Sequence, residues 1–304
     1  MQKGAGAGAA PPSATHGKGT SFQGRLIGLV IVTMFRLPRL LPWRARLAAA
    51  DFLMAWIFAP IAGYRARIRA NLALARPDLG EAEIRRLCRR VPGNVGRFIT
   101  EVTSVDDFRA RVSPLPMTGK GVDTLLTALD DKRPVIMVSG HFGNFDAVRV
   151  ALTHRGYAIG ALYRPHDDPY VDAHYTAMLS GIAEPIFPKG RRGLGAMLKF
   201  LRQGNALAIL VDQHVKDGAP LTFFGQPAAT TLSAAEMALK YDALLVPAFG
   251  IRRGDSFDVV IEDPIPKGTA AEMMQAVNDS LEGRIRTDMD QWLWIHRRWK
   301  LAGG

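Results

Sequence analysis

Residues 134–146, PVIMVSGHFGNFD, decide the fold class of this chain. Residues 134–139 form a short, β-rich apolar run bounded by proline and glycine, which is typical of a buried strand. Gly140 ends the run, and His141 follows at the carboxyl end of the predicted strand. Ligand sites in open α/β sheets gather at that end of the strands. The segment therefore predicts a strand, a turn and a candidate site residue.

Further apolar runs continue the pattern along the chain. Strands are predicted at 157–163, 206–211, 244–249 and 257–261, and helices around 170–180, 191–203 and 232–242. Strands that alternate with helices predict an α/β fold with a mostly parallel central sheet flanked by helices. Before about residue 120 the chain is arginine-rich and is predicted to be a helical layer, with the α/β core at 120–304.

The N-terminal region has a different composition. Residues 1–20 are rich in Gly, Ala and Pro and are predicted to be a disordered tail. Apolar runs at 26–35 and 47–64 follow, both flanked by arginines, so residues 21–65 are predicted to be a membrane-associated hydrophobic helical segment. A buried helical hairpin and a cleaved signal peptide are the alternatives.

Composition excludes several classes of protein. The chain has 304 residues, 48% hydrophobic and 22% charged, so whole-chain disorder, collagen and coiled coil do not fit. Cys88 is the only cysteine, which excludes an internal disulfide and favours a reducing, cytosolic environment. The formal net charge of +11 predicts an acidic partner such as nucleic acid, anionic lipid or a phosphorylated substrate.

His141 is the first candidate catalytic residue. A carboxylate bonded to one ring nitrogen would fix the tautomer and leave the other nitrogen as a general base. Asp146 can reach His141 only if His141 lies in the turn and Asp146 in the first helical turn, and Gly140 and Gly143 supply freedom for such a turn. The alternative is a histidine that only packs or caps.

Five further motifs run in order along the chain. They are RANL at 69–72 with RPD at 76–78, YRP at 163–165 with DP at 168–169, VDQ at 211–213, FFGQPA at 223–228 and QWLWIHRRW at 291–299. Together with the H-x-x-x-x-D of His141 and Asp146, these motifs resemble the bacterial lipid A biosynthesis late-acyltransferase family. That family is part of the H-x-x-x-x-D/E glycerolipid acyltransferase superfamily. The motifs span residues 65–300.

The resemblance implies an enzyme that moves a fatty acyl chain from a thioester to a hydroxyl of a membrane glycolipid. The expected donor is acyl carrier protein or coenzyme A, the expected acceptor is a lipid A precursor, and no cofactor is needed. Residues 66–304 would form the acyltransferase domain. An anionic inner-membrane surface would hold it at the cytoplasmic face.

The resemblance also assigns roles to residues. His141 is the general base, and Asp146 is favoured over Asp212 as the carboxylate that orients it. Backbone N–H groups of Gly143 and Asn144 are candidate oxyanion donors.

Two further residues are expected at the same site. Arg164 ends a predicted strand and would bind a phosphate or lie near the oxyanion, with a surface salt bridge as the alternative. Gln213 would contact substrate.

Two positions depart from the family pattern, and other functions are possible. Glutamate is usual at Asp146 in members that acylate lipid A, and asparagine is usual at Asp168. An acyltransferase for a phospholipid or another glycolipid is therefore the nearest alternative. A nucleic-acid-binding protein would also explain the charge, but the chain has no helix-turn-helix, zinc-finger or RNA-binding signature.

No metal site is predicted. The polar residues of the segment from 166 to 174 could be drawn as ligands, but turn and helix spacing on a solvated face also explains them. They are His166, Asp168, Asp172 and His174.

Overall fold

The computed structural model of the protein describes residues 40–299. Nine strands lie within these residues: β1 (Met117–Thr118), β2 (Val135–Ser139), β3 (Ile159–Tyr163), β4 (Ile186–Pro188), β5 (Ala206–Leu210), β6 (Ala219–Phe223), β7 (Gln226–Thr230), β8 (Leu244–Arg253) and β9 (Ser256–Ile261). Seven of these strands form one sheet in the order β1-β9-β8-β2-β5-β3-β4, and β6 and β7 form a separate antiparallel hairpin. All neighbours in the large sheet are parallel except β8 and β9.

The helices within the described residues lie before β1, between most of the later strands and after β9; none separates β5, β6 and β7, or β8 and β9. They are α1 (Trp43–Leu53), α2 (Ala59–Ile61), α3 (Tyr64–Ala75), α4 (Glu81–Thr103), α5 (Val105–Val112), α6 (Val122–Asp130), α7 (Asp146–His154), α8 (Pro169–Ile182), α9 (Arg191–Arg202), α10 (Ser233–Lys240) and α11 (Ala270–Thr287). A π-helical turn, Met54–Phe58, joins α1 to α2. The predicted α/β fold with a mostly parallel sheet and flanking helices is confirmed.

Alternating side chains of β2 divide the core into two layers. Val135 and Met137 pack on one face of the sheet in a cluster that includes residues of α5, α6 and α7. Ile136 and Val138 face the other way, into a cluster with residues of α9, α10 and α11. Because successive side chains of a strand point to opposite faces, one apolar strand supports both layers.

The helical layer predicted before residue 120 is present as α1 to α5. The long helix α4 is its centre, and α1 packs closely against it. Gly96 makes this approach possible, because a Cβ at that position would lie 2.4 Å from the carbonyl oxygen of Ala50. Below α4, the motif at 291–299 fills an aromatic cluster through Trp292, Trp294 and Trp299.

The apolar segment at 43–61 is helical and leaves large side chains on the surface. Phe52, Trp56 and Ile61 have exposed fractions of 57%, 52% and 82%. Within residues 40–299, no single helix has the length and hydropathy to cross a bilayer. Trp43–Ile61 and Tyr64–Ala75, which meet at 86°, have them as a bent pair. The predicted tail at 1–20 and the apolar run at 26–35 lie outside the described residues.

Candidate active site

His141 lies in the loop between β2 and α7, at the carboxyl end of the central strand. Its side chain is a quarter exposed and lines two cavities that meet at its ring. The ring of Phe145 packs edge-on against it, with 5.6 Å between the ring centroids, and also lines both cavities. His141 therefore lies where it was predicted, at the carboxyl end of a strand, where ligand sites of open α/β sheets gather.

The carboxylate that contacts His141 belongs to Asp212. Its Oδ1 lies 2.8 Å from Nδ1 of His141, and its Oδ2 accepts the backbone N–H of His141 at 2.7 Å. The indole Nε1 of Trp292 donates a third hydrogen bond, at 2.8 Å, to Oδ2. A carboxylate can only accept, so the neutral ring carries its proton on Nδ1 and leaves Nε2 unprotonated.

The predicted pairing of His141 with Asp146 is wrong. Asp146 begins α7, and its Oδ1 accepts from Nη1 of Arg149, one turn along the helix, at 2.8 Å. Nη2 of Arg149 donates to the carbonyl of Ala183 at 2.7 Å, and both charged side chains are buried. Asp146 therefore holds the buried arginine that ties α7 to the segment before β4.

Strand register explains why Asp212 is the partner. Ser139 of β2 lies opposite Leu210 of β5 in a parallel pair. His141 and Asp212 each follow two residues later, so the chain delivers both side chains to the same place. The sequence predicts that His141 and Asp212 each follow a strand, but it does not predict that β2 and β5 are neighbours in the sheet.

The charges of the pair support each other. Burial alone would raise the pKa of Asp212, but His141 and the donated hydrogen bonds outweigh it and lower this pKa to about 2. Burial would lower the pKa of His141, and the charge and hydrogen bond of Asp212 outweigh it and raise this pKa. Asp212 thus stays ionised and stabilises the imidazolium.

Backbone N–H groups of Gly143 and Asn144 are not free to bind an oxyanion, contrary to prediction. The N–H of Gly143 donates to the carbonyl of Gln291 at 3.0 Å, and that of Asn144 donates to the carbonyl of Gly250 at 2.8 Å. Gly143 has φ +59°, and a Cβ there would lie 2.1 Å from the Gly250 oxygen. These bonds fix the loop, so its role is to position His141.

A buried ion pair anchors the same loop from α4. Nδ2 of Asn144 donates to Oε2 of Glu101 at 2.9 Å. The other partner of Glu101 is Arg252 of β8, which binds both carboxylate oxygens. The sequence analysis did not predict that Glu101 binds Asn144 of the loop or that the indole of Trp292 binds Asp212. Two features of the sequence could have indicated them: Glu101 is an isolated acid late in a basic helix, and Trp292 lies in the motif at 291–299.

Arg164 and Gln213 border the larger cavity, and both side chains are exposed. Arg164 has no ion pair among residues 40–299, so the predicted alternative of a surface salt bridge is absent there. Nε2 of Gln213 lies 3.4 Å from Nε2 of His141. The amide of Gln213 is thus placed to reach a reacting atom beside Nε2 of His141, and Arg164 borders the same cavity.

The larger cavity measures about 450 Å³ and is mostly apolar. Its inner floor is formed by four residues that lie side by side on neighbouring strands β4, β3, β5 and β2: Ile186, Ala161, Ala208 and Met137. Small residues at the middle of the row leave space above the sheet, beneath α7 and α8. The volume is within the roughly 300–1,000 Å³ usual for ligand pockets.

A second cavity of about 200 Å³ also borders His141. The apolar face of α4 lines it through Val91, Val95 and Phe98, and Leu293 lines it from the C-terminal segment. His141 therefore borders two apolar cavities.

Two of the residues that could be drawn as metal ligands, Asp168 and Asp172, accept backbone N–H groups at the start of α8. Oδ1 of Asp172 accepts the backbone N–H of His166 at 2.8 Å, and Oδ1 of Asp168 accepts that of Val171 at 3.0 Å. Within residues 40–299, no group of three or more His, Cys, Asp or Glu side chains is placed to hold a metal ion.

Fold and site together describe an α/β protein in which a histidine, held by an ionised carboxylate, borders apolar cavities at the carboxyl end of the sheet, an arrangement suited to an enzyme. Comparison with known families gives the particular assignment. The family model described as "Bacterial lipid A biosynthesis acyltransferase" matches residues 20–301. The chain belongs to this family of acyl-transferring enzymes, and the predicted resemblance is confirmed.

Curated relatives agree at low identity. A lipid A biosynthesis lauroyltransferase of Escherichia coli (strain K12) is 25% identical over 241 residues, covering 77% of this chain and 78% of the relative. A lipid A biosynthesis acyltransferase of Haemophilus influenzae is 27% identical over 264 residues, covering 81% of each chain. These relatives favour acyl transfer over nucleic-acid binding.

Exchange of each aspartate for asparagine distinguishes the role of Asp212 from that of Asp146. Asp212→Asn keeps the shape but removes the charge that stabilises the imidazolium, so we expect turnover to fall about 10²- to 10⁴-fold, as for His141→Ala. Asp146→Asn leaves Arg149 with a neutral acceptor, so we expect a lower melting temperature and a rate within about tenfold of wild type. Circular dichroism and turnover of folded protein check this. A dead Asp146→Asn and an active Asp212→Asn would contradict the assignment.

The pH dependence of kcat/KM should report the shifted pKa of His141. The base acts only when neutral, so activity should rise with pH through an inflection above the ordinary value of 6.5. Asp212→Asn removes the anion and keeps the burial, so the inflection of its residual activity should move to lower pH. An inflection that stays in place would show that Asp212 does not set the pKa.

Proposed function

We propose that the protein transfers a fatty acyl chain from a thioester to a hydroxyl of a membrane glycolipid, with a lipid A precursor as the first choice of acceptor. The observation that carries the proposal is the unprotonated Nε2 of His141, whose side chain lines two apolar cavities. Family membership supports acyl transfer to lipid A. The thioester, the hydroxyl and the membrane location are the proposed parts.

His141 acts on the acceptor hydroxyl. Nε2 takes the hydroxyl proton as the oxygen attacks the thioester carbonyl carbon, because a neutral hydroxyl is a poor nucleophile. The resulting imidazolium lies against the ionised Asp212. When the tetrahedral intermediate collapses, the C–S bond breaks and the thiolate leaves with the proton from Nε2.

The oxyanion of the intermediate needs donors from side chains, since the loop N–H groups are occupied. The amide of Gln213 lies next to Nε2 of His141, and the guanidinium of Arg164 stands at the mouth of the same cavity. We assign oxyanion stabilisation to Gln213 and the binding of a phosphate, or of the same oxyanion, to Arg164.

The acyl chain of the donor fits the larger cavity. Ala161 and Ala208 form an apolar floor of this cavity. They lie two residues before Tyr163 and Leu210 on the same strands, so the floor lies about 7 Å further in than those two residues. Burial of methylenes there stabilises the complex by roughly 0.8 kcal/mol each. The smaller cavity beside α4 is left for the acceptor.

Acyl transfer by the full-length protein in mixed micelles tests the proposal. The donors are one acyl chain on acyl carrier protein and the same chain on coenzyme A, and the acceptors are a lipid A precursor and a lysophospholipid. Mass spectrometry should show one added acyl chain on the lipid A precursor, absent with His141→Ala. Acylation of only the lysophospholipid would contradict the acceptor, and no transfer from any donor would contradict the activity.

The membrane location is proposed from the surface of α1, the π-helical turn and α2. Its exposed Phe52, Trp56 and Ile61 form an apolar set large enough to mark an interaction surface, and the guanidinium carbon of Arg65 on α3 lies 5.7 Å from the ring centroid of Trp56. Apolar side chains with basic neighbours suit the headgroup region of an anionic bilayer. The inner membrane at its cytoplasmic face is where such a lipid precursor and a thioester donor would meet.

Polar substitution of that surface should weaken membrane binding. In Phe52→Ser/Trp56→Ser/Ile61→Ser the side chains are already exposed, so we expect the fold to persist and flotation with anionic liposomes to drop several-fold. Leu239→Ser, at an exposed leucine of α10, is the control and should float as wild type does. If the triple variant floats equally well, this surface is not the membrane contact.

A further inference from the structure

The segment from β4 to β5 carries only positive charges. Residues 185–211 contain Lys189, Arg191, Arg192, Lys199 and Arg202, with no aspartate or glutamate. All five cationic side chains are exposed, and none forms an ion pair with another part of the chain described by the structure. Arginines elsewhere on the surface commonly have partners, as Arg69 has Glu81 and Arg284 has Glu262. This cationic face therefore has no anionic partner within residues 40–299.

Strand register joins the cationic face to the catalytic cavity. Tyr163 of β3 lies opposite Pro188 of β4, and the backbone N–H of Lys189 donates to the carbonyl of Tyr163 at 2.7 Å. Arg164, next in the chain after Tyr163, lines the cavity that contains His141. Positive charge thus runs from the cavity mouth through Lys189 onto α9.

Helix α9 presents its charges in two rows. Arg191 and Arg202 are eleven residues apart, and Arg192 and Lys199 are seven apart, so each pair falls on one side of the helix. Gly195 lies between the rows and is exposed, with open space where a Cβ would be. A helix of twelve residues is about 18 Å long, so the charges at its far end lie well away from the cavity mouth.

The face fits a protein better than a bilayer. An interfacial helix inserts an apolar side into the membrane, but Met197 and Leu201 of α9 are buried against the sheet. Leu194 is the one large apolar side chain that α9 exposes. Within residues 40–299, the largest set of exposed apolar side chains lies instead on α1, the π-helical turn and α2.

We propose that the outer face of α9, with Lys189 and Arg164, is the docking surface for an acidic acyl carrier protein. The proposal rests on the proposed acyl transfer from a thioester. Carboxylates on the carrier would pair with both rows of cations and steer the encounter. The acyl chain and its linker would then pass Lys189 and Arg164 to reach His141. Coenzyme A has no protein surface that could lie along both rows of cations on α9.

Charge reversal at the far end of α9 tests the docking surface. In Lys199→Glu/Arg202→Glu the side chains are exposed and distant from the site, so the fold and the kcat should persist. We expect KM for the carrier-protein thioester to rise about five- to tenfold at low ionic strength, with the difference shrinking in salt. KM for the same acyl chain on coenzyme A should not change. The control Lys120→Glu/Lys240→Glu has the same charge change at other exposed lysines and should match wild type.

A binding measurement separates this proposal from the proposed function. Fluorescence anisotropy of labelled holo acyl carrier protein needs no acyl transfer, and the α9 variant should bind about five- to tenfold more weakly than the control variant. Equal binding by both variants would overturn the docking surface, as would an equal rise in KM for both donors. Lost liposome flotation with unchanged carrier binding would assign the face to lipid instead. Carrier binding without transfer from any donor would count against the proposed function alone.

Discussion

The hydrogen-bonded contact between Asp212 and His141 is the interaction on which the site depends. One buried carboxylate fixes the ring of His141 through Oδ1 and its backbone through Oδ2, so it sets both the tautomer and the position of the base. The contact exists because β2 and β5 are parallel neighbours in register, so the segments that follow them leave the sheet side by side at the carboxyl ends of the strands. An ionised carboxylate in a buried place is costly unless its hydrogen bonds are made, and Trp292 supplies the remaining one.

Two layers of the fold converge on the loop that carries His141. From the helical layer, Glu101 binds Asn144 and Arg252, and from the C-terminal segment the carbonyl of Gln291 accepts from Gly143. Removal of Glu101 or Arg252 would leave the other buried charge without its partner, which typically costs about 3–5 kcal/mol of folding stability. This explains why the arginine-rich helices and the distant tryptophan motif belong to one catalytic unit: they hold a six-residue loop that has no regular structure of its own.

Much of this could be predicted from the sequence, and the remainder depends on contacts between distant segments. Apolar runs predicted β2, β3, β5, β8 and β9, since those strands bury apolar side chains in the core. The hairpin of β6 and β7 and the short β1 and β4 carry little such pattern. His141 was predicted because it follows a strand, whereas its partner was assigned to Asp146 from closeness in sequence. Strand order, which brings Asp212 beside His141, is not written in any local pattern.

Nitrogen NMR of the imidazole of His141 tests the central claim most directly. In protein labelled with ¹⁵N-histidine, with His141→Gln used to assign the signal, Nδ1 should carry the proton and Nε2 should show the shift of an unprotonated nitrogen at neutral to alkaline pH. Titration should give a pKa above the ordinary value that falls in Asp212→Asn and stays raised in Asp146→Asn. A proton on Nε2, or a pKa that responds to Asp146 and not to Asp212, would contradict the account.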